Sequence, residues 1–87
     1  MKRNTQQLTL DMLKAVYYAP HGLKASHIMQ KANVPNNRSA PLLAKLTAKG
    51  YLNKQLTGSR YVYTVTQKAL NLLHYYRTFE ALYNELI

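Results

Sequence analysis

Apolar residues recur along this chain with two periods, and the places where the period changes mark the elements. Leu8, Met12, Val16 and Ala19 follow at steps of four, four and three, with Leu10, Leu13 and Tyr17 alongside. That spacing predicts an amphipathic helix from Thr5 to Tyr18. Pro20-His21-Gly22 ends it, since proline cannot continue the hydrogen-bond ladder and glycine suits the turn. Lys24 to Ala32 predicts a second, short helix with Ile28 and Met29 facing inward. Asn33-Val34-Pro35-Asn36-Asn37 is dense in turn formers. Leu42, Leu43 and Leu46 then restore the helical period until Gly50 stops it.

The start of this third helix turns on Pro41. A proline in a helix interior costs about 3 kcal/mol but is tolerated in the first turn. The favoured reading is therefore a regular helix from near Ser39 to Lys49, with the Ser39 hydroxyl as its cap and Pro35–Arg38 as a loose turn. The alternative is a helix from Pro35 kinked at Pro41. Beyond Gly50 the period falls to two. Tyr51–Leu56 and Arg60–Val65 predict a hairpin closed by Thr57-Gly58-Ser59-Arg60. Tyr61, Tyr63 and Val65 share one of its faces; Arg60, Val62 and Thr64 share the other. Thr66 then caps a last helix from Gln67 to about Leu86. At about 100° per residue, Leu72, Tyr75, Tyr76, Phe79, Leu82, Tyr83 and Leu86 form one continuous stripe on it. Leu70 and Leu73 lie off that stripe and are expected to pack on the helix's own domain.

The predicted fold is α+β, mainly α: three helices and a β-hairpin over residues 1–66, then a C-terminal helix over 67–87 as an extension of the same domain. Helix, turn, helix and ribbon in that order make a winged helix-turn-helix. Such a fold offers its third helix to the DNA major groove, and its wing to the neighbouring backbone or minor groove. The tail stripe is too long for so small a body to cover, and is expected to join a second copy in a homodimer.

Charge sharpens this picture. The 87 residues carry twelve Lys and Arg against three Asp and Glu, a formal charge of +9. Residues 1–68 hold all the basic side chains but Arg77, and only Asp11 opposes them; residues 69–87 carry Arg77 against Glu80 and Glu85. A basic front with a near-neutral tail suits a polyanion at one end and a protein at the other. Without cysteine there is no disulfide framework, thiol nucleophile or Cys-based metal site. No apolar run approaches a membrane span or a signal-peptide core, so a cytoplasmic or nucleoid-associated protein is expected.

The candidate contacts follow from position. Asn36, Asn37, Arg38 and Ser39 stand at the entry to the reading helix, where Asn pairs bidentately with adenine and Arg with guanine. The asparagines equally suit a simple turn. Lys45 lies about two turns further along the helix. Lys24, Ser26 and His27 open the second helix, whose free N–H groups favour a phosphate. Lys54, Ser59 and Arg60 bracket the wing tip, and narrow minor grooves attract arginine. Lys2 and Arg3 offer a basic arm or a frayed terminus. Of the eight tyrosines, Tyr17, Tyr51, Tyr63, Tyr75, Tyr76 and Tyr83 fit packing positions, leaving Tyr61 as a nucleic-acid contact. The acids and histidines are dispersed, with no phosphate loop and no metal-ligand spacing, so neither catalysis nor a cofactor is expected.

Three stretches resemble a known family: Gly22 to Val34; Leu43-Ala44-Lys45-Leu46 with Lys49-Gly50-Tyr51-Leu52; and Tyr63-Thr64-Val65-Thr66-Gln67-Lys68. They are similar to the small archaeal winged-helix DNA-binding proteins with a long C-terminal helix. The resemblance implies a winged helix-turn-helix dimerised through an antiparallel coiled coil, acting as a chromatin protein or a transcription regulator. Winged-helix repressors of bacteria and viruses look similar too. Two positions depart from the pattern. Ala69 stands where the family usually has glycine, implying a final helix that starts without a kink, and Pro41 falls inside the reading helix. The reading from another class is a protein-interaction winged helix whose wing and third helix dock an acidic partner.

Overall fold

The computed structural model describes residues 4–87 and contains, in order, α1 (Thr5–Tyr17), α2 (Ala25–Ala32), α3 (Asn36–Ala48), β1 (Leu52–Thr57), β2 (Arg60–Val65) and α4 (Gln67–Leu86). Lys2 and Arg3 lie outside the described residues. α1 begins with a reciprocal cap: the Asn4 side chain accepts from the Gln7 N–H at 2.8 Å, and the Asn4 N–H donates to the Gln7 side-chain oxygen at 3.0 Å. Two orphan donors are thereby satisfied, an arrangement typically worth about 1 kcal/mol. The core takes Leu8, Met12, Leu13 and Val16 from α1, and Ile28, Met29 and Ala32 from α2. Leu43, Leu46, Leu52, Tyr63 and Ala69 close it from the remaining elements. Tyr17 was expected among the packing tyrosines; it is exposed instead, edge-to-face with Tyr18 at 5.1 Å. It shares a side of α1 with the buried Leu10 and Leu13 but is the last residue of the helix.

A three-residue turn, Asn33 to Pro35, links α2 and α3. Asn33 makes it short by adopting the left-handed conformation at φ 56°, which its small polar side chain tolerates. The Val34 N–H then donates to the Met29 carbonyl at 3.0 Å and closes the end of α2.

α3 corrects the favoured reading of its start. It runs from Asn36 with Pro35 as N-cap, so Pro41 lies in its interior. Ser39 is not the cap. Its side chain is buried, and its hydroxyl donates back to the Pro35 carbonyl at 2.7 Å. That carbonyl also receives the N–H groups of Arg38 and Ser39 at 3.2 and 3.1 Å, which ties the first turn together. Pro41 has no N–H to give the Asn37 carbonyl, so one rung of the ladder is missing. Burial of Leu43 and Leu46 against the core offsets that loss, as tertiary packing usually outweighs local propensity.

β1 and β2 pair antiparallel from Leu52↔Val65 out to Thr57↔Arg60. Gly58 takes φ 63° in the first position of the two-residue loop, the position that a type II′ hairpin reserves for glycine. At the base of the ribbon, Leu23 and Tyr63 exchange both backbone hydrogen bonds, at 3.0 and 2.8 Å, adding a one-residue third strand. This approach requires Gly22. Its φ is 89°, and a Cβ there would meet the Tyr63 carbonyl at 3.1 Å.

Thr66 joins the ribbon to α4 by capping the Ala69 N–H and donating to the Gly50 carbonyl at 2.6 Å. Ala69 is completely buried, so a small side chain is needed where α4 crosses the body. Lys68 reaches the Lys49 carbonyl at 2.9 Å while its ammonium lies 4.6 Å from the Tyr51 ring centre. A cation thus meets the negative end of α3. Leu73 packs on the core as expected. Leu72, assigned above to the tail stripe, also packs there. Tyr76 is half-buried, with the Lys14 ammonium 6.0 Å from its ring. Past this point α4 leaves the body, and the molecule reaches 49 Å along its longest axis.

Candidate nucleic-acid interface

With its start at Asn36, α3 presents a defined outer face. Successive residues turn by about 100°, which sets Asn37, Ala40, Pro41, Ala44 and Ala48 side by side. All five are exposed. Arg38, Lys45 and Lys49, exposed too, line one edge of that strip. The strip consists mostly of small side chains, and its edge is cationic. Asn37 and Arg38 thus fall on the outer side, as read from the sequence, but Ser39 does not. It is 1% exposed with its hydroxyl bonded inward, so it leaves the candidate interface. Asn36 opens the helix, and its side chain lies outside those described. Of the strip, only Asn37 depends on the earlier start of α3; Ala40, Pro41, Ala44 and Ala48 share a face in either helix.

α2 begins at Ala25 with Lys24 as N-cap and no side-chain cap. The Lys24 carbonyl accepts from the His27 and Ile28 N–H groups, both at 3.0 Å. Ser26 and His27 are exposed and Lys24 half-buried, so this helix entrance is open to an anion.

The wing carries its groups on two faces. Lys54 pairs with Tyr63 and Leu56 with Tyr61 in the register, so these four side chains and Leu52 and Val65 share the face that packs on the body. The Lys54 ammonium sits 4.5 Å from the Tyr61 ring centre and 5.9 Å from that of Tyr63. Arg60 projects from the opposite face with Gln55 on it and Ser59 beside it in the turn; all three are exposed. Leu56, 62% exposed at the tip, was passed over in the sequence. The two-residue turn was the available signal, because it fixes Leu56 opposite Tyr61.

No carboxylate side chain occurs between Asp11 and Glu80, so α2, α3 and the ribbon carry cations only. Among the described residues no group of His, Asp or Glu is placed to hold a metal ion. None of the helices described is long and apolar enough to cross a membrane. On α4 the outer stripe is bare: Tyr75, Phe79, Leu82, Tyr83 and Leu86 are all at least half exposed, and Phe79 stacks on Tyr83 at 6.0 Å.

Comparison with known proteins agrees with this architecture. A family model described as winged helix-turn-helix matches residues 2–84. Among solved structures, the fold is similar to that of Sso10a-2, a DNA-binding protein from Sulfolobus solfataricus. The TM-score is 0.77, over 97% of this chain and 85% of that one, at 20% identity. No curated protein matches the sequence.

Proposed function

The chain belongs to the winged helix-turn-helix family, and from that premise we propose that it binds double-stranded DNA as a non-catalytic homodimer. One observation carries the reading. The outer face of α3, the open entrance of α2 and the wing carry cations with no carboxylate in the intervening sequence. The fold-level likeness to a DNA-binding protein supports the same partner.

α3 lies in the major groove, with Arg38 and Lys45 on flanking phosphates or base edges and Asn37 facing the bases. Lys24, with Ser26 and His27, takes a phosphate at the entrance of α2. Lys54, Ser59, Arg60 and Tyr61 follow the backbone or minor groove under the wing. A second copy covers the outer stripe of α4 through Tyr75, Phe79, Leu82, Tyr83 and Leu86. Leu72 and Tyr76 continue the stripe where α4 meets the body. The angle between the two tails then sets the spacing of the half-sites. With one amide and several small apolar groups facing the bases, most affinity comes from phosphate neutralisation. That suits packaging of the nucleoid or regulation with modest sequence preference.

Fluorescence anisotropy on a random-sequence duplex tests the reading. Each neutralised phosphate adds about −0.9 to the slope of log K against log salt. Five cations per subunit therefore give a steep line, and Arg38→Ala flattens it by about one for each subunit bound. Binding that is equal at about 50 and 200 mM salt overturns the electrostatic mechanism. A folded dimer that shifts no duplex favours an acidic protein as the partner.

A further inference from the structure

The wing ends in an apolar pair with nothing beneath it. On its inner face the pairs near the base, Leu52↔Val65 and Lys54↔Tyr63, meet the body, and Leu52 and Tyr63 are buried. The same face continues one pair further, to Leu56↔Tyr61, and there both side chains are more than half exposed, at 62% and 54%. Two facing apolar side chains at the tip of a narrow two-stranded ribbon form a wedge. Its surroundings specify the occupant. The Lys54 ammonium lies against the Tyr61 ring at 4.5 Å, Arg60 stands on the other face, and neither strand contains an acid. A wedge with one cation against it and another on the far face of the ribbon fits a polyanion with an apolar interior, and a stacked duplex seen from its minor groove is one.

We infer that Leu56 and Tyr61 form a wedge that enters the minor groove and partly unstacks a base step, so that the bound duplex bends. The inference rests on the DNA-binding reading above and adds to it a mechanical effect. Lys54 then serves two purposes: its ammonium rests on the Tyr61 ring in the free protein and reaches a phosphate beside the opened step in the complex. Pyrimidine–purine steps such as TA unstack most easily, so the bend concentrates there.

The test uses the full-length dimer and a short duplex with a central TA step, labelled at both ends for energy transfer. Wild type is expected to shorten the end-to-end distance on binding. Leu56→Ser with Tyr61→Ala is expected to bind several-fold more weakly and to leave the bound duplex straight. Lys54→Ala weakens binding while the bound duplex stays bent. Both wedge side chains are exposed, so circular dichroism melting should match wild type; if the double variant melts early, Leu56→Ser alone is read instead. A duplex bound by wild type but not bent, or bent equally by the wedge variants, overturns the wedge and leaves DNA binding standing. A duplex that wild type does not bind at all overturns both.

Discussion

Two helix faces of this molecule are left uncovered by its own core, and they differ in kind. The outer strip of α3 is built from Asn37, Ala40, Pro41, Ala44 and Ala48 with Arg38 and Lys45 on its edge. The outer stripe of α4 is built from Tyr75, Phe79, Leu82, Tyr83 and Leu86. The first offers little apolar area and much charge, so water is expelled from it only by a surface that brings opposite charge and close fit. The second offers large side chains whose burial is worth about 1.5–3 kcal/mol each, without a cation among them. A polyanion gains little on the second face, and a protein surface gains little on the first. Under the proposed function, one small chain separates duplex from second copy by the size of the side chains on two helices.

The largest expected effect comes from putting charge into the apolar face. Phe79→Asp removes a stacked ring and, in the proposed dimer, buries a carboxylate at the contact. It should weaken self-association by ~4 kcal/mol or more, about a thousandfold. Sedimentation should then find monomers whose far-ultraviolet spectrum keeps the helical signal of the body. A dimer that persists at micromolar protein would show that the stripe is not the contact. DNA binding should fall as well, but through lost bivalency, so each monomer keeps a salt slope about half as steep.

Much of this division was legible in the sequence. The tail stripe and the Thr66 cap needed only the helical period and one cap residue, and α4 runs from Gln67 to Leu86 as that period required. The hairpin register followed from Gly58. The start of α3 was not legible, because local rules oppose each other there. Propensity places Pro41 in a first turn, whereas burial of Leu43 and Leu46 and the three donors on the Pro35 carbonyl extend the helix back to Asn36. The same error put Ser39 among the contacts. Leu72 packs on the core as well as lying on the stripe, because a stripe read on a helical wheel does not say where along its length the helix leaves the body.

Pro41 gives the second, intermediate test, since it lies within the α3 face yet removes a rung from the helix. Pro41→Ala keeps the strip small and restores a donor for the Asn37 carbonyl. Against the ~3 kcal/mol interior penalty stand the lost rigidity of the unfolded chain and any strain already relaxed. A net gain of about 1–2 kcal/mol is expected in urea unfolding. Unchanged or lower stability would mean that the surrounding packing has adapted to the proline. Dimerisation should not respond, because α4 is untouched. If affinity for DNA drops while stability rises, the proline shapes how α3 sits in the groove.

The smallest expected effect concerns the bases themselves. A strip of alanine and proline has no hydrogen bond to give or take, but its methyl and methylene groups match one feature of the major groove, the thymine methyl. Replacing every thymine of an A·T-rich duplex by deoxyuridine removes those methyls and leaves the phosphates and hydrogen-bonding edges in place. Each methyl buried against the strip contributes at most ~0.8 kcal/mol. The substituted duplex should therefore bind a few-fold more weakly at constant salt, with the salt slope unchanged. Ala44→Gln, which puts a flexible amide into the middle of the strip, should erase the difference between the two duplexes. Equal affinity of wild type for both would mean that α3 stands off the bases and that the cations on its edge do the holding. A change in salt slope would instead trace the effect to altered groove shape, since a methyl carries no charge and releases no counterion.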